Sequence, residues 1–371
     1  MFSLDRENTG LVAKWWRNID KQILFLFVLL LLLGLFFSFS STTSLMSDKM
    51  NKETYFFFIK HLIFVSLSLL LIFMISIQEK NKFIKILTYL FILSVVLLFL
   101  TLIVGVEIKG SRRWLDFHPL PRFQPVELTK PLFVIFVAKI IVLNEKKDVY
   151  IRYFYSLIIL LLIVTILINQ PDLGQTFLLT LTWITMIFVS GFNMIILSVL
   201  GLFFLPEKFG YVFLRVKTFL DPKAGDNFQS QKALEAIKQG GLTGQGMGEG
   251  ILKDKVPEAH TDYIIAVISE EFGAIFVLFI VVIFLFIGYK VLNKVFAGND
   301  EFLKLALIGL VSLLIIQTFI HIGVNSRLFP TTGMTLPFLS YGGSSLIGSS
   351  IIAGIILNFT RKDSARYFKN E

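Results

Sequence analysis

The stretch Pro257-Glu258-Ala259-His260-Thr261-Asp262-Tyr263 places three side chains able to move protons, Glu258, His260 and Asp262, just ahead of a long apolar run. A carboxyl at the first turn of an apolar helix sits in a low dielectric, which raises its proton affinity and suits it to base chemistry. A nearby arginine would oppose that shift. Thr261 or Asp262 as a helix N-cap is the plainer reading, but capping needs neither the His nor the Glu. A second group is cationic. Gly110-Ser111-Arg112-Arg113-Trp114-Leu115 pairs two arginines, whose planar forks match phosphate, with a Trp of the kind that anchors at a membrane surface. Arg215 lies in a later basic stretch with Lys208, Lys217 and Lys223. Solvated loop surface is the alternative for most of these charges.

Three further motifs are polar where polarity is costly. In Gln124-Pro125-Val126-Glu127-Leu128-Thr129-Lys130, Pro125 reads as a helix start and Glu127 and Lys130 share one helix face. They form either a surface ion pair or a pair turned to a cavity. In Gln170-Pro171-Asp172-Leu173-Gly174, Asp172 either caps the next helix or lines the site. In Pro337–Ser345, Ser344 and Ser345 either allow close helix approach or belong to a re-entrant, hydroxyl-rich loop lining a cavity. Glu270 and Glu271 fall roughly 12 Å along the helix that follows Asp262; they read as structural, one of them bonding a neighbouring helix, with His321 as a candidate partner.

The elements that must position these groups are membrane helices. Of 371 residues, 55% are apolar and 16% charged, against about 25% charged in soluble domains. A soluble surface cannot cover that much Leu, Ile and Phe, and disorder requires the opposite bias. There is no Cys, so disulfides and thiol catalysis are excluded. The net charge of +9 then points to membrane lipid and not to nucleic acid. Ten apolar runs appear: Gln22–Phe39, Phe56–Ile77, Phe83–Val104, Pro131–Leu143, Tyr153–Ile168, Leu173–Val189, Phe192–Leu205, Tyr263–Leu292, Phe302–Val324 and Leu346–Phe359. The expected fold is an all-α polytopic membrane protein of ten transmembrane helices, with a large outer loop between the seventh and eighth. Residues 1–21 form an N-terminal segment, 22–359 the membrane domain with outer loops at 105–130 and 206–262, and 360–371 a C-terminal tail. Compact Lys/Arg clusters in the short loops put both termini in the cytoplasm. The long second loop carries a Gly-rich run, Gly240–Gly250, and a short amphipathic helix near Gln231–Ile237, expected to fold back onto the membrane surface. No nucleotide P-loop, H-E-x-x-H motif, His cluster or internal repeat is present.

Taken in order, Gly110–Trp114, Gln124–Lys130, Gln170–Gly174, Phe219-Leu220-Asp221-Pro222, Pro257–Glu271 and Thr335–Ser345 resemble the SEDS family of bacterial membrane proteins (shape, elongation, division and sporulation). The resemblance runs from the first span to the last. It implies a peptidoglycan glycosyltransferase that polymerises lipid II at the outer face of the cytoplasmic (inner) membrane, beside a class B penicillin-binding transpeptidase. Asp262 matches the family's essential aspartate. Lys60-His61-Leu62, Phe228-Gln229 and Gly246–Gly250 are similar to the division branch, which implies septal location and other divisome membrane proteins as partners; the rod-elongation branch is the near neighbour. Val126, Pro131 and Lys232-Ala233 depart from the family pattern. On this basis Asp262 is the expected general base. Arg112, Arg113, Lys130 and Arg215 hold a departing polyprenyl diphosphate, with Mg or Mn as a possible aid. Glu258, His260, Gln124, Glu127, Asp172, Ser344 and Ser345 bind or orient the substrate. A lipid II flippase is the rival from another class, and a scaffold that only recruits the transpeptidase a third.

Overall fold

The computed structural model describes residues 10–42, 56–108, 110–118, 121–143, 148–192, 228–250, 252 and 258–362. The helices are α1 (Leu11–Asn18), α2 (Lys21–Thr42), α3 (Phe56–Ser76), α4 (Lys80–Val104), α5 (Pro125–Leu143), α6 (Val149–Asn169), α7 (Leu173–Val189), α8 (Phe228–Gly240), α9 (Ile264–Ala297), α10 (Glu301–Asn325) and α11 (Gly343–Phe359). A small antiparallel hairpin, β1 (Val106–Ile108) with β2 (Ser111–Trp114), interrupts the otherwise helical chain after α4. Six helices, α2, α3, α4, α6, α9 and α10, are long and apolar enough to cross a bilayer, so the chain is a multi-pass membrane protein. α7 and α11 are shorter apolar helices of 17 residues. Every apolar run of the sequence has its helix except the seventh, Phe192–Leu205, which beyond Phe192 lies outside the described residues.

Helix limits shift where backbone chemistry allows. α5 starts at Pro125, as that proline's helix-start reading expects, ahead of the apolar run, and it continues through Pro131. Proline has no N–H to give the carbonyl four residues back, which is that of Glu127. Gly348 of α11 lies against that carbonyl, where a Cβ would come within 2.6 Å of the oxygen. The proline and the glycine together bring α5 and α11 close.

α9 is longer than the membrane requires. Its 34 residues would extend about 51 Å at 1.5 Å each, against a hydrocarbon core of about 30 Å. It breaks at Gly273, whose φ of 82° and ψ of 174° are not helical. The Gly-rich loop after α8 enters the break: Ala274 and Ile275 donate backbone N–H bonds to the carbonyls of Gly241 and Leu242 at 3.0 and 3.2 Å. In return Gln245 and Gly246 donate to the carbonyls of Glu270 and Glu271 at 2.9 and 3.0 Å. This loop and the neighbouring helix α2 hold the two carboxylates, so the neighbouring-helix reading holds for Glu271 and the His321 reading does not. Glu270 accepts the Leu252 N–H at 2.7 Å, and Glu271 accepts from Gly248 N–H at 3.2 Å and from the Ser40 hydroxyl. His321 meets neither; its Nδ1 donates to the Met334 carbonyl at 2.7 Å. The amphipathic helix is longer than expected, and its Gly240 closes onto the Ser269 carbonyl, leaving no room for a side chain.

At one end of the bundle the turns are tied by side chains. Asn358 donates to the carbonyls of Ile75, Ser76 and Gln78, and Arg361 to those of Ser76 and Ile77, all between 2.9 and 3.3 Å. Lys294 pairs with Asp20 at 3.1 Å and Lys80 with Asp300 at 3.8 Å. The sequence reading missed α1, a short helix whose Trp15 indole donates to Ser76 Oγ at 2.8 Å. Its Trp16 lies under Lys21.

Candidate active site

The opposite end carries Asp262. It closes a turn in which the N–H groups of Thr261 and Asp262 donate to the Glu258 carbonyl at 3.0 and 3.1 Å. Glu258 itself holds a left-handed φ of 59°, which an L side chain adopts only at a cost. α9 begins after this turn with Tyr263 at the cap position and no side-chain capping bond, so Thr261 and Asp262 are not N-caps. Three successive carbonyls of the turn are instead held from outside. Tyr341 N–H donates to His260 at 3.0 Å, Ser340 Oγ to Thr261 at 2.7 Å and Asn325 Nδ2 to Asp262 at 3.1 Å. A peptide fixed at three consecutive carbonyls has little freedom to turn, so the direction in which the Asp262 Cβ leaves the backbone is set. That side chain is half-buried, and its Oδ2 lies 3.4 Å from where a Cβ on Gly333 would stand. Gly333 is exposed and holds a φ of 66°, so backbone and space both favour glycine beside the carboxyl.

Behind the turn, Tyr341 is packed between two imidazoles, His260 at 5.6 Å and His61 of α3 at 5.7 Å between ring centroids. Burial lowers the proton affinity of His260, and the Glu258 carboxyl opposes that shift. His260 is therefore held toward its neutral form.

The second half of the site is a buried polar chain. Glu127 and Lys130 form an ion pair of 2.8 Å with their side chains 4% and 1% exposed. The pair is buried, so the surface reading of it does not hold. Lys130 also donates to Gln317 Oε1 at 3.1 Å, and Gln317 Nε2 to the Thr335 carbonyl at 2.9 Å. On the other side Gln175 Nε2 donates to Glu127 at 3.1 Å, while its N–H caps onto Asp172. Asp172 takes the capping role and also joins the polar chain. It is the N-cap of α7, and it pairs with Arg113 at 3.5 Å and accepts from Gln124 Nε2 at 3.5 Å. Burial raises the proton affinity of Asp172, with the Arg113 guanidinium opposing. Arg113 further donates to the carbonyls of Gln170 and Pro171. Gln124 N–H donates to Ser344 Oγ at 3.1 Å, and Ser345 Oγ bonds Thr335 Oγ1 at 2.6 Å.

The two halves meet along residues 332–336, between α10 and α11. Gly333 faces Asp262, Thr332 and Met334 crowd Gly174 at the start of α7, Met334 and Thr335 hold His321 and Gln317, and Leu336 N–H binds Ser340 Oγ at 2.8 Å. The structure thus brings together Arg113, Gln124, Glu127, Lys130, Asp172, Ser344 and Ser345, with Asp262, Glu258 and His260 alongside. Arg112 stands apart on the exposed hairpin, paired with Glu107 at 3.3 Å. Arg215, Lys109, Pro257 and residues 219–222 lie outside the described residues. Reading the sequence missed Asn325 and Gln317, and gave Ser340 of the Pro337–Ser345 motif no role of its own. Asn325 and Gln317 had a usable signal, each being a buried amide within an apolar helix. Among the described residues, no three His, Asp or Glu side chains converge to hold a metal ion.

Comparison with known proteins places this architecture. The family model described as cell cycle protein, covering FtsW, RodA and SpoVE, matches residues 21–365, and the chain belongs to that family. It is 32% identical over 372 residues to the probable peptidoglycan glycosyltransferase FtsW of Caulobacter vibrioides, covering 98% of this chain and 94% of the relative. It is 33% identical to the protein of the same name from Haemophilus ducreyi, covering 91% of this chain and 88% of the relative. A chain from a peptidoglycan synthase complex, solved to explain how polymerization and crosslinking are coordinated, superposes with a TM-score of 0.74 at 26% identity, covering 92% of this chain and 97% of that one. The rod shape determining protein RodA of Thermus thermophilus does so with a TM-score of 0.69 at 27% identity, covering 93% and 97%.

Proposed function

We propose that this protein is a peptidoglycan glycosyltransferase that polymerises lipid II, with Asp262 as its base. The observation that carries the reading is the shared end of the bundle: a half-buried carboxyl, fixed at its backbone, is joined through residues 332–336 to a chain of polar groups containing two cations. In the reaction, a hydroxyl of the acceptor sugar attacks the anomeric carbon of the donor. Its proton passes to the Asp262 carboxylate as the new O–C bond forms. The bond from the anomeric carbon to the diphosphate breaks, and the electron pair leaves with the polyprenyl diphosphate. Cations near that developing charge lower the barrier. Arg113, exposed at 15%, is the more accessible of the two. Lys130 is buried and fixes Glu127. Arg112 and Arg215 are the outer members of the set. Glu258 and His260 shape the turn that carries the base. Gln124, Glu127, Asp172, Ser344 and Ser345 line the substrate's approach. Mg or Mn bound with the diphosphate would share the charge.

The same reading includes ten transmembrane helices, cytoplasmic termini and a site open to the periplasm. It also includes a class B penicillin-binding transpeptidase and other divisome membrane proteins as partners at the septum. The FtsW names of the relatives support the division role. The test is direct. The purified chain with its transpeptidase is given lipid II in detergent and the glycans are resolved on a gel. Ladders from the parent chain support the reading; their absence, together with lipid II crossing vesicles bearing the isolated chain, supports a flippase instead.

A further inference from the structure

α10 ends in a tight reversal. Ser326 is its C-cap, Arg327 N–H donates to the Val324 carbonyl at 3.1 Å, and Leu328 N–H reaches back to the Gly323 carbonyl at 2.7 Å. These two bonds define a Schellman turn, whose closing residue must be left-handed and is usually glycine. Here the closing residue is Arg327, with φ 56°. A Cβ at that angle crowds the following carbonyl, so the arginine costs the fold stability that glycine would not. The arginine's own side chain does not offset this. Among the described residues, the guanidinium takes part in no hydrogen bond or ion pair, whereas Arg112, Arg113, Arg122 and Lys130 at the same end are each paired with a carboxylate.

The place of Arg327 gives the strain a meaning. Asn325 holds the Asp262 carbonyl and Gly333 faces the Asp262 carboxyl, so both ends of the segment 325–333 touch the proposed base. Arg327 lies within the loop they close, half-exposed. Left-handed non-glycine residues that survive their cost cluster at functional sites.

We propose that Arg327 is a substrate-binding residue that holds the diphosphate of the lipid-linked donor beside Asp262. The inference rests on the glycosyltransferase reading and adds to it a cation outside the two basic loops. A guanidinium binds a diphosphate bidentately, which an ammonium does not.

The experiment compares the parent with Arg327→Gly and Arg327→Lys, in complex with the transpeptidase. It measures melting temperature and the dependence of polymerisation rate on lipid II concentration. Arg327→Gly is expected to melt higher than the parent and to raise KM about 10-fold, the size of one lost charged hydrogen-bond pair. Arg327→Lys keeps a cation at the helix end, as the helix dipole favours, yet is expected to recover only part of that loss. A lower melting temperature in Arg327→Gly assigns the arginine to structure and overturns the proposal, as does an unchanged KM. The assay is repeated in neutral detergent and with added phosphatidylglycerol. A KM difference seen only with the anionic lipid assigns Arg327 to membrane headgroups and also overturns it. Asp262→Asn runs alongside: if it polymerises normally the base reading falls, while the KM comparison for Arg327 is read independently.

Discussion

The two ends of the bundle use polar side chains in opposite ways. At the end holding Asp20, Ser76 and Arg361, donors finish on the carbonyls of one turn and charges finish on each other. Every such contact ties one helix connection to another. At the Asp262 end, donors also grip carbonyls, but the result is to aim a half-exposed carboxyl at an open glycine. Left-handed non-glycine residues lie at this end, at Glu258, Arg327 and Phe338. The same bond types serve cohesion at one end and orientation at the other. The difference lies in what the fixed backbone leaves facing outward.

Substitutions at each end separate these uses. The largest loss is expected for Lys130→Ala, which leaves Glu127 charged and buried without its partner at a cost of about 3–5 kcal/mol. Folded protein should then fall sharply in size-exclusion profiles. The double change Glu127→Gln with Lys130→Met should recover folded protein without recovering full polymerisation. Asn325→Ala comes next. It removes the donor to the Asp262 and His321 carbonyls, and kcat should fall about 10-fold or more with KM little changed. Asn325→Asp has the same shape but cannot donate, so it should be equally poor; full activity in Asn325→Asp would break the account of the turn. The smallest effect belongs to the far end. Arg361→Ala should cost about 1 kcal/mol of stability, seen as a lower melting temperature. Its rate per folded molecule should match the parent. A kcat loss there as large as at Asn325 would erase the contrast between the ends.

Much of this was legible in the residues. Apolar runs gave the helices, because the bilayer makes a long unbroken run diagnostic. The i, i+3 spacing gave the Glu127–Lys130 pair, and the turn at Asp172 gave its cap. The Gly273 break was not legible, since glycine is common in membrane helices and only the returning Gly-rich loop makes this one a discontinuity. Nor were the loop partners of Glu270 and Glu271, which are backbone N–H groups with no signature of their own. The grip of Asn325 and Ser340 on the 258–262 turn joins segments 63 and 79 residues apart, a distance no local pattern spans. α1 was missed because 8 residues are too few for a span, and α1 lies along the bundle's end.

The central claim is that one carboxyl removes the proton from the attacking sugar. Its most direct test is the rate of lipid II polymerisation by Asp262→Asn, in a preparation whose melting temperature and lipid II binding match the parent. The account predicts a fall in kcat of about 10²–10⁴-fold, the usual worth of a positioned base. A kcat equal to the parent's in that preparation would contradict it.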